Sequence, residues 1–451
     1  MAEQVKDMTK GPSGRLIIGL ALPLMLGNVC QQLYTMVDTM IVGQIVGVEA
    51  LAALGAGEWI LWLVLGISTG MTQGFGIMTA QQFGGEDGEG LRKTVARSYV
   101  LTGILAAAVL ILSELLAPLI LKFLDTPENI RGISLLYLRI AFCGIPVIAA
   151  YNVFSTVLRS LGNSRVPLYA MLIAAAVNVG LDLLFVAVLG WGVAGAAAAT
   201  VAAQSFSAVF CFGALKKIEI IKLTREDFAL QYELDKKLLK LGAPVVFQNM
   251  VISIGGMVVQ HVVNGYGFLF VAGFTATNKL YGILEMAAIS YGYAIVSYTG
   301  QNLGAQRTDR ILEGVRAGSR IAFVTSLAVS AVMFLLGRKI LGLFISGTPD
   351  ETAQVLAIAW KYLSVMAGFL WILYFLYVYR SALQGLGDTV LPMVSGGAEF
   401  VMRVSAALLL PKLVGENGIF YAEIMAWSGA AVLLAAGYYI RIRKLKKYLP
   451  V

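Results

Sequence analysis

Residues 31–43 read QQLYTMVDTMIVG, so Asp38 stands near the end of a run whose preceding neighbours are mostly apolar. What a carboxylate does there depends on its solvent. Of 451 residues, 58% are hydrophobic and 13% charged, with a mean hydropathy of +0.79, whereas soluble domains are about 25% charged. A helix that crosses a bilayer needs about 20 mostly apolar residues. Twelve such stretches begin near residues 16, 49, 94, 132, 166, 193, 238, 268, 311, 353, 390 and 417. They leave little for a soluble domain and predict an all-α integral membrane protein with twelve transmembrane helices.

The opening MAEQVKDMTKGPSGR has no short apolar core followed by a small-residue cleavage site, so the first helix is expected to stay in place. Cys30, Cys143 and Cys211 are far apart, odd in number and each inside an apolar stretch, which suits small core residues better than a disulfide or metal framework. With the N-terminus placed in the cytoplasm, inside segments hold 25 Lys and Arg and outside segments hold six. That imbalance predicts two cytoplasmic termini and an even number of helices. The net charge of +8 is then a matter of topology and attraction to anionic lipid, with no nucleic-acid partner.

The longest hydrophilic segment, KKIEIIKLTREDFALQYELDKK (216–237), lies mid-chain and reads as a cytoplasmic linker between bundles at 1–215 and 238–451. Sliding one half over the other tests whether they are copies. LPLMLGN (22–28) falls on APVVFQN (243–249) at an offset of 221, TAQQFGG (79–85) on TGQNLGA (299–305) at 220, and RSLGNSRVPL (159–168) on QGLGDTVLPM (384–393) at 225. Three matches in one order predict two pseudo-symmetric six-helix bundles, running parallel. Transporter folds are built this way, with substrate sites in or between the bundles and alternating access by rocking.

Charged residues at membrane depth cost about 2.5–3.5 kcal/mol on insertion scales and usually face a cavity or a partner. The candidates are Asp38, Glu58, Arg139, Asp182, Lys279, Glu285, Glu399, Arg403 and Glu423, with His261 the single histidine. Depth separates them. At 1.5 Å per residue, Asp182 lies roughly 11 Å below the outer end of the fifth helix, Thr200 roughly 12 Å down the sixth and Asp38 roughly 8 Å into the first. Asn178 is one turn from Asp182 on the same face. Two carboxylates, an amide and a hydroxyl thus share a level in the outer half of the first bundle. Oxygen ligands suit a hard cation such as Na+, and two like charges in one site are relieved equally well by a proton. A bland reading competes, in which Asp38 caps a helix end and Asp182 bonds a neighbouring helix.

The other polar residues carry less. Glu399 and Arg403 are spaced i, i+4 and are expected to neutralise each other. Glu58 and Glu285 are candidates to line cavities in the first and second bundle, with Glu399 a further candidate for secondary coupling. Arg139 and Lys279 read as structural partners or cavity residues, and His261 as interfacial. Histidine pairs for a metal, a phosphate-binding glycine loop and a nucleophile triad are all missing from the sequence, so an enzyme is not expected.

LPLMLGNVCQQLYTMVDTMIVG in the first helix, the QQFGG and QNLGA loops, and the LRSLGNSRVP and LQGLGDTVLP loops resemble the multidrug and toxic compound extrusion (MATE) transporters over essentially the whole chain. The resemblance implies export of organic, often cationic, small molecules in exchange for inward Na+ or H+, with no cofactor. It implies a monomer in the plasma membrane. The DinF-like branch of that family has a cation site made of a first-helix Asp, a fifth-helix Asn-x-x-x-Asp and a sixth-helix Thr, which here match Asp38, Asn178 and Asp182 (NVGLD) and Thr200. Other branches place acids in the seventh and tenth helices, where this chain has none. A coupling site in the second half would then have to use Glu285 or Glu399. Three alternatives remain: a lipid-linked-precursor flippase, which needs a cationic cavity; an uptake symporter, with reversed substrate direction; and a membrane-embedded transferase, which needs a catalytic constellation.

Overall fold

The computed structural model describes residues 5–123, 126–343, 345 and 348–448. Every regular element among them is helical: α1 (Ser13–Ile45), α2 (Val48–Gly84), α3 (Gly88–Phe123), α4 (Glu128–Cys143), α5 (Ile145–Ser160), α6 (Arg165–Asp182), α7 (Gly192–Leu215), α8 (Tyr232–Asn264), α9 (Phe268–Gly304), α10 (Thr308–Gly342), α11 (Pro349–Gly385), α12 (Val390–Val414) and α13 (Ala422–Tyr448). Eleven helical segments are long and apolar enough to cross a membrane, and α4 with α5 makes a twelfth that is bent by 43°. The bend has a local cause. Pro146 stands at the start of α5, and a proline lacks the N–H that would carry the helix through Gly144. The chain is therefore a multi-pass membrane protein with the expected twelve spans, one of them broken.

The duplication is visible in the backbone. Glu86 and Gln306, 220 residues apart, both take φ +57°, uncommon for side-chain-bearing residues. Gly162 and Gly387, 225 apart, both take φ +79°, a conformation that only glycine adopts without strain. The residue after each glycine then caps the next helix in the same way: Asn163 Oδ1 accepts from Val166 N at 3.1 Å, and Asp388 Oδ1 from Leu391 N at 3.2 Å.

Two compact units emerge, residues 5–7 with 22–246 and residues 8–21 with 247–448. Two helices belong to both. α1 passes from the second unit into the first after Ala21, and α8 from the first into the second after Val246. Pro23 and Pro244 sit inside these helices, within three residues of the changeover and 221 apart. α8 also begins at Tyr232, inside the segment read as linker, after single turns of 3-10 helix at Glu219–Ile221 and Arg225–Phe228.

In the first unit, the early turns of α8 are held by charge and by close approach. Arg97 on α3 makes a bidentate pair with Asp235, Nε to Oδ1 at 2.8 Å and NH2 to Oδ2 at 2.6 Å, and its NH1 donates to the Phe228 carbonyl at 3.0 Å. Gly74 on α2 faces Gly242 so closely that a Cβ there would strike the α8 backbone, the small-residue contact by which membrane helices gain van der Waals energy. The apolar core gathers Ile60, Val64, Leu138, Phe142 and Ala149 among its buried members.

In the second unit, the N-terminal segment is tied down from outside its own helix. Met8 N donates to Gln301 Oε1 at 2.7 Å, Ser13 and Tyr298 share their hydroxyls at 2.7 Å, and Arg310 donates to the Gly11 carbonyl at 2.8 Å. Aromatic rings stack through the core, Phe274 on Tyr362 at 4.7 Å and Tyr362 on Phe420 at 4.8 Å. The three cysteines are unpaired thiols. Cys211 is buried as expected, but Cys143 is exposed beside the α4–α5 break.

The Arg97–Asp235 pair is a buried bidentate tie in the linker region. Removing one member leaves a buried charge alone, which costs about 3–5 kcal/mol. Arg97→Met is expected to lower the thermal midpoint of the purified protein, and Asp235→Leu added to it to recover most of the loss; an unchanged midpoint in Arg97→Met would remove this tie from the account.

Candidate cation site

Asp38 on α1, Asn178 and Asp182 on α6 and Thr200 on α7 all lie in the first unit. Asn178 and Asp182 are fully buried, Asp38 is 9% exposed and Thr200 is half-buried. The Asn178 amide donates to Thr200 Oγ1 at 3.5 Å, and Thr200 donates its own proton to the Ala196 carbonyl at 3.1 Å. The structure thus brings the amide and hydroxyl into contact and buries both carboxylates in the same unit.

What they lack is equally informative. Asp38 Oδ1, Asn178 Oδ1 and both Asp182 carboxylate oxygens are buried without a hydrogen-bond partner. Among the described residues neither aspartate has a basic group within 4.0 Å, whereas buried Asp235 and Glu399 and half-buried Glu423 each have one. Buried charges are ordinarily paired, because an isolated carboxylate in low dielectric is very costly. With the hydroxyl proton and one of the two amide protons already spent, the group presents mainly acceptors. Acceptors alone bind a cation or a proton, and hard oxygen ligands favour an alkali or alkaline-earth ion over a soft metal. Among the described residues no three His, Cys, Asp or Glu side chains converge as a metal cluster.

Two further features extend the site. One turn from Asp38 on α1, the buried Tyr34 hydroxyl accepts from the Gln204 amide at 3.1 Å, and Gln204 is itself one turn from Thr200 on α7. Gln204 Oε1 is another buried oxygen without a partner. The i, i+4 spacing was the signal that would have found both. Immediately after Asp182 the helix widens into a π-turn, Leu183–Val188, an irregularity that tends to fall at functional positions. Sequence periodicity does not reveal it.

The second copy answers the same positions differently. At the offset of 225, Asn178 maps on Arg403, and at 223, set by Gly192 and Gly415 with φ of +57° and +79°, Thr200 maps on Glu423. Asp38 maps at 221 on Val259, an apolar buried residue. Arg403 NH2 donates to Glu423 Oε2 at 2.8 Å and NH1 to the Ile252 carbonyl at 3.2 Å. Glu399 is paired with Arg380. The expected i, i+4 neutralisation of Glu399 by Arg403 is therefore not the pairing observed. Each takes a partner from another helix, because both side chains point into the bundle, where α11 and α13 supply opposite charges.

The remaining candidates scatter. Glu285 is half-buried and accepts from the Tyr377 hydroxyl at 2.9 Å. Arg139 faces Glu114 at 3.7 Å. Glu58, Lys279 and His261 are exposed.

Eleven to twelve helical spans, an internal duplication and polar groups buried between the spans describe a membrane transporter. The MatE family model matches the chain twice, at residues 23–184 and 244–409, once in each copy, and the chain belongs to that family of transporters. It is 32% identical over 422 residues to the probable multidrug resistance protein YpnP of Bacillus subtilis, covering 92% of each chain. Its fold matches a MATE protein crystallised in complex with MaL6 with a TM-score of 0.92 at 23% identity, over 98% of this chain and 99% of that one. It also matches an outward-facing multidrug resistance MATE transporter with a TM-score of 0.91 at 24% identity, over 99% of both chains.

The two copies make opposite predictions for the same kind of substitution. Glu423→Gln leaves Arg403 buried without its counter-charge and is expected to cost about 3–5 kcal/mol. Asp182→Asn removes a charge that has no partner and is expected to raise stability by about 1–3 kcal/mol. Thermal midpoints measured in Na+-free buffer at pH 8 check both signs, and a loss of stability in Asp182→Asn would mean that its carboxylate is structurally paired.

Proposed function

We propose that the protein exports organic, often cationic, small molecules across the plasma membrane by antiport with Na+ or H+, and that Asp38, Asn178, Asp182 and Thr200 bind the coupling ion. The observation that supports this most is the set of buried, partnerless oxygens in the first unit. An ion that binds them relieves repulsion between two carboxylates, and the arrangement of helices that holds the carboxylates closest is the one it favours. Substrate release then follows from differential affinity of the two arrangements, with no contact between drug and ion needed. The named function of the YpnP relative supports drug export as the activity. In the second unit, the buried guanidiniums of Arg380 and Arg403 are already neutralised by Glu399 and Glu423. That speaks against a flippase for lipid-linked phosphates, which needs uncompensated positive charge. Glu285, whose partners among the described residues are tyrosine hydroxyls, and exposed Glu58 are the acids with which a cationic substrate would pair.

The deciding experiment is efflux from proteoliposomes under an imposed Na+ gradient or an imposed pH gradient, one at a time. Asp38→Asn removes charge at nearly constant volume, so coupled efflux is expected to be abolished while the protein still folds; drug resistance at the wild-type level in cells expressing it would sink the assignment. Asn178→Ala and Thr200→Ala remove neutral oxygen ligands that a cation needs and a proton does not. Both are expected to weaken Na+-driven transport about tenfold or more, by analogy with lost metal-site partners, and to spare most proton-driven transport. Equal loss under the two gradients would make them packing residues.

A further inference from the structure

At one end of the second unit, where α10 begins and α11 and α13 finish, a cavity of about 140 Å3 is lined by Arg316, Ser319, Arg320, Tyr379, Tyr438 and Tyr439 among others. Drug-sized ligands occupy roughly 300–1,000 Å3, so this space suits a single polar group. Arg316 and Arg320 stand one turn apart on α10 and are both exposed. Neither is in an ion pair or hydrogen bond with another described residue. Like charges at i, i+4 repel, and an anion lying between two guanidiniums turns that repulsion into two charge-assisted contacts. Tyr438 is 2% exposed, and its hydroxyl has no hydrogen-bond partner, although buried tyrosine hydroxyls ordinarily find one. The Tyr379 and Tyr439 hydroxyls meet at 3.4 Å. Two guanidiniums and an unspent phenol form a receptor for a phosphate oxyanion.

The surroundings identify the source of the phosphate. Deeper along the same helices the lining turns apolar and aromatic. Phe323, one turn beyond Arg320, stacks on Phe375 at 5.8 Å, and Trp371 meets Phe375 at 6.0 Å. Phe323, Leu327 and Trp371 are exposed apolar side chains there. In the other direction, α13 continues past Tyr439 into Arg441, Arg443, Lys444, Lys446 and Lys447. A polar group flanked by basic residues on one side and an apolar track on the other has the profile of a phospholipid at the boundary of a bilayer. Basic pockets between membrane helices bind anionic headgroups.

We propose that this pocket is a specific site for an anionic glycerophospholipid, its phosphate held by Arg316, Arg320 and the Tyr438 hydroxyl and its acyl chain lying along Phe323, Phe375 and Trp371. The proposal is independent of the coupling-ion assignment. It is tested with the full-length protein in detergent, by native mass spectrometry and thermal shift with phosphatidylglycerol, phosphatidylcholine or inorganic phosphate at matched concentration. Phosphatidylglycerol is expected to be retained and to raise the thermal midpoint, with phosphatidylcholine and inorganic phosphate both far weaker. Arg316→Gln with Arg320→Gln is expected to weaken phosphatidylglycerol binding about 30-fold, the sum of two interfacial charges, while its midpoint in phosphatidylcholine stays at the wild-type value. Tyr438→Phe, which deletes one oxygen and keeps the ring, is expected to weaken it in the same direction. Equal retention of the two lipids, unchanged binding in the double variant, or an equal response to inorganic phosphate would each overturn the proposal.

Discussion

A carboxylate below the bilayer surface must be neutralised, and the two halves of this protein meet that requirement in opposite ways. Water cannot do it, and the unscreened charge is costly at membrane depth. In the second unit the answer is built in: Arg380 and Arg403 sit on Glu399 and Glu423, with the residual acid Glu285 tied to a tyrosine. In the first unit Asp38 and Asp182 have no basic neighbour among the described residues. A permanent ion pair fixes a structure because neither member can leave. Two unpaired acids leave the structure dependent on something that comes and goes.

That difference is instructive because the scaffolds are otherwise so alike. Equivalent glycines turn with positive φ, an asparagine in one copy and an aspartate in the other cap the following helices, and equivalent non-glycine positions take φ +57° in both copies. Backbone geometry was kept where loops must turn and helices must start. Chemistry diverged at the buried positions, where Asn178 and Thr200 in one copy correspond to Arg403 and Glu423 in the other. An amide and a hydroxyl can ligate an incoming cation. A guanidinium and a carboxylate satisfy each other.

How much of this the sequence discloses follows from the range of each interaction. Span number and duplication rest on hydropathy and on short loop motifs, both local, and the twelve-span reading matches the structure with only the α4–α5 break added by Pro146. The level of Asp38, Asn178, Asp182 and Thr200 follows from helix rise, since depth in a bilayer is a count of residues. Pairing does not follow from it. Glu399 and Arg403 looked like partners because i, i+4 is the one side-chain contact a single helix specifies, whereas Arg380 and Glu423 come from helices whose rotation only packing decides. The same blindness hid the contact between Tyr34 and Gln204, which spans 170 residues, although each lies one turn from a residue of the site. It hid the π-turn after Asp182 because one extra residue per turn leaves no hydropathic trace. It also hid the passage of α1 and α8 between units, because an unbroken apolar helix reads identically whichever neighbours it packs against.

That passage gives Asp38 its mechanical setting. α1 belongs to the second unit up to Ala21 and to the first unit from Leu22, and Asp38 lies about 16 residues, roughly 24 Å, further along the same helix. Its start is anchored by Met8, Gly11 and Ser13 to Gln301, Arg310 and Tyr298, so it cannot slide freely when the charge at Asp38 changes. Strain along α1 is then taken up where its hydrogen-bond ladder is weakest. Pro23 removes one rung there and crowds the carbonyl of the preceding turn, and kinks in long helices concentrate at such residues. Pro244 weakens α8 at the equivalent point near its own changeover. With an anchor at one end of α1, the Asp38 carboxylate near the other and a proline between them, the weakest rungs of the ladder lie between the fixed end and the charge.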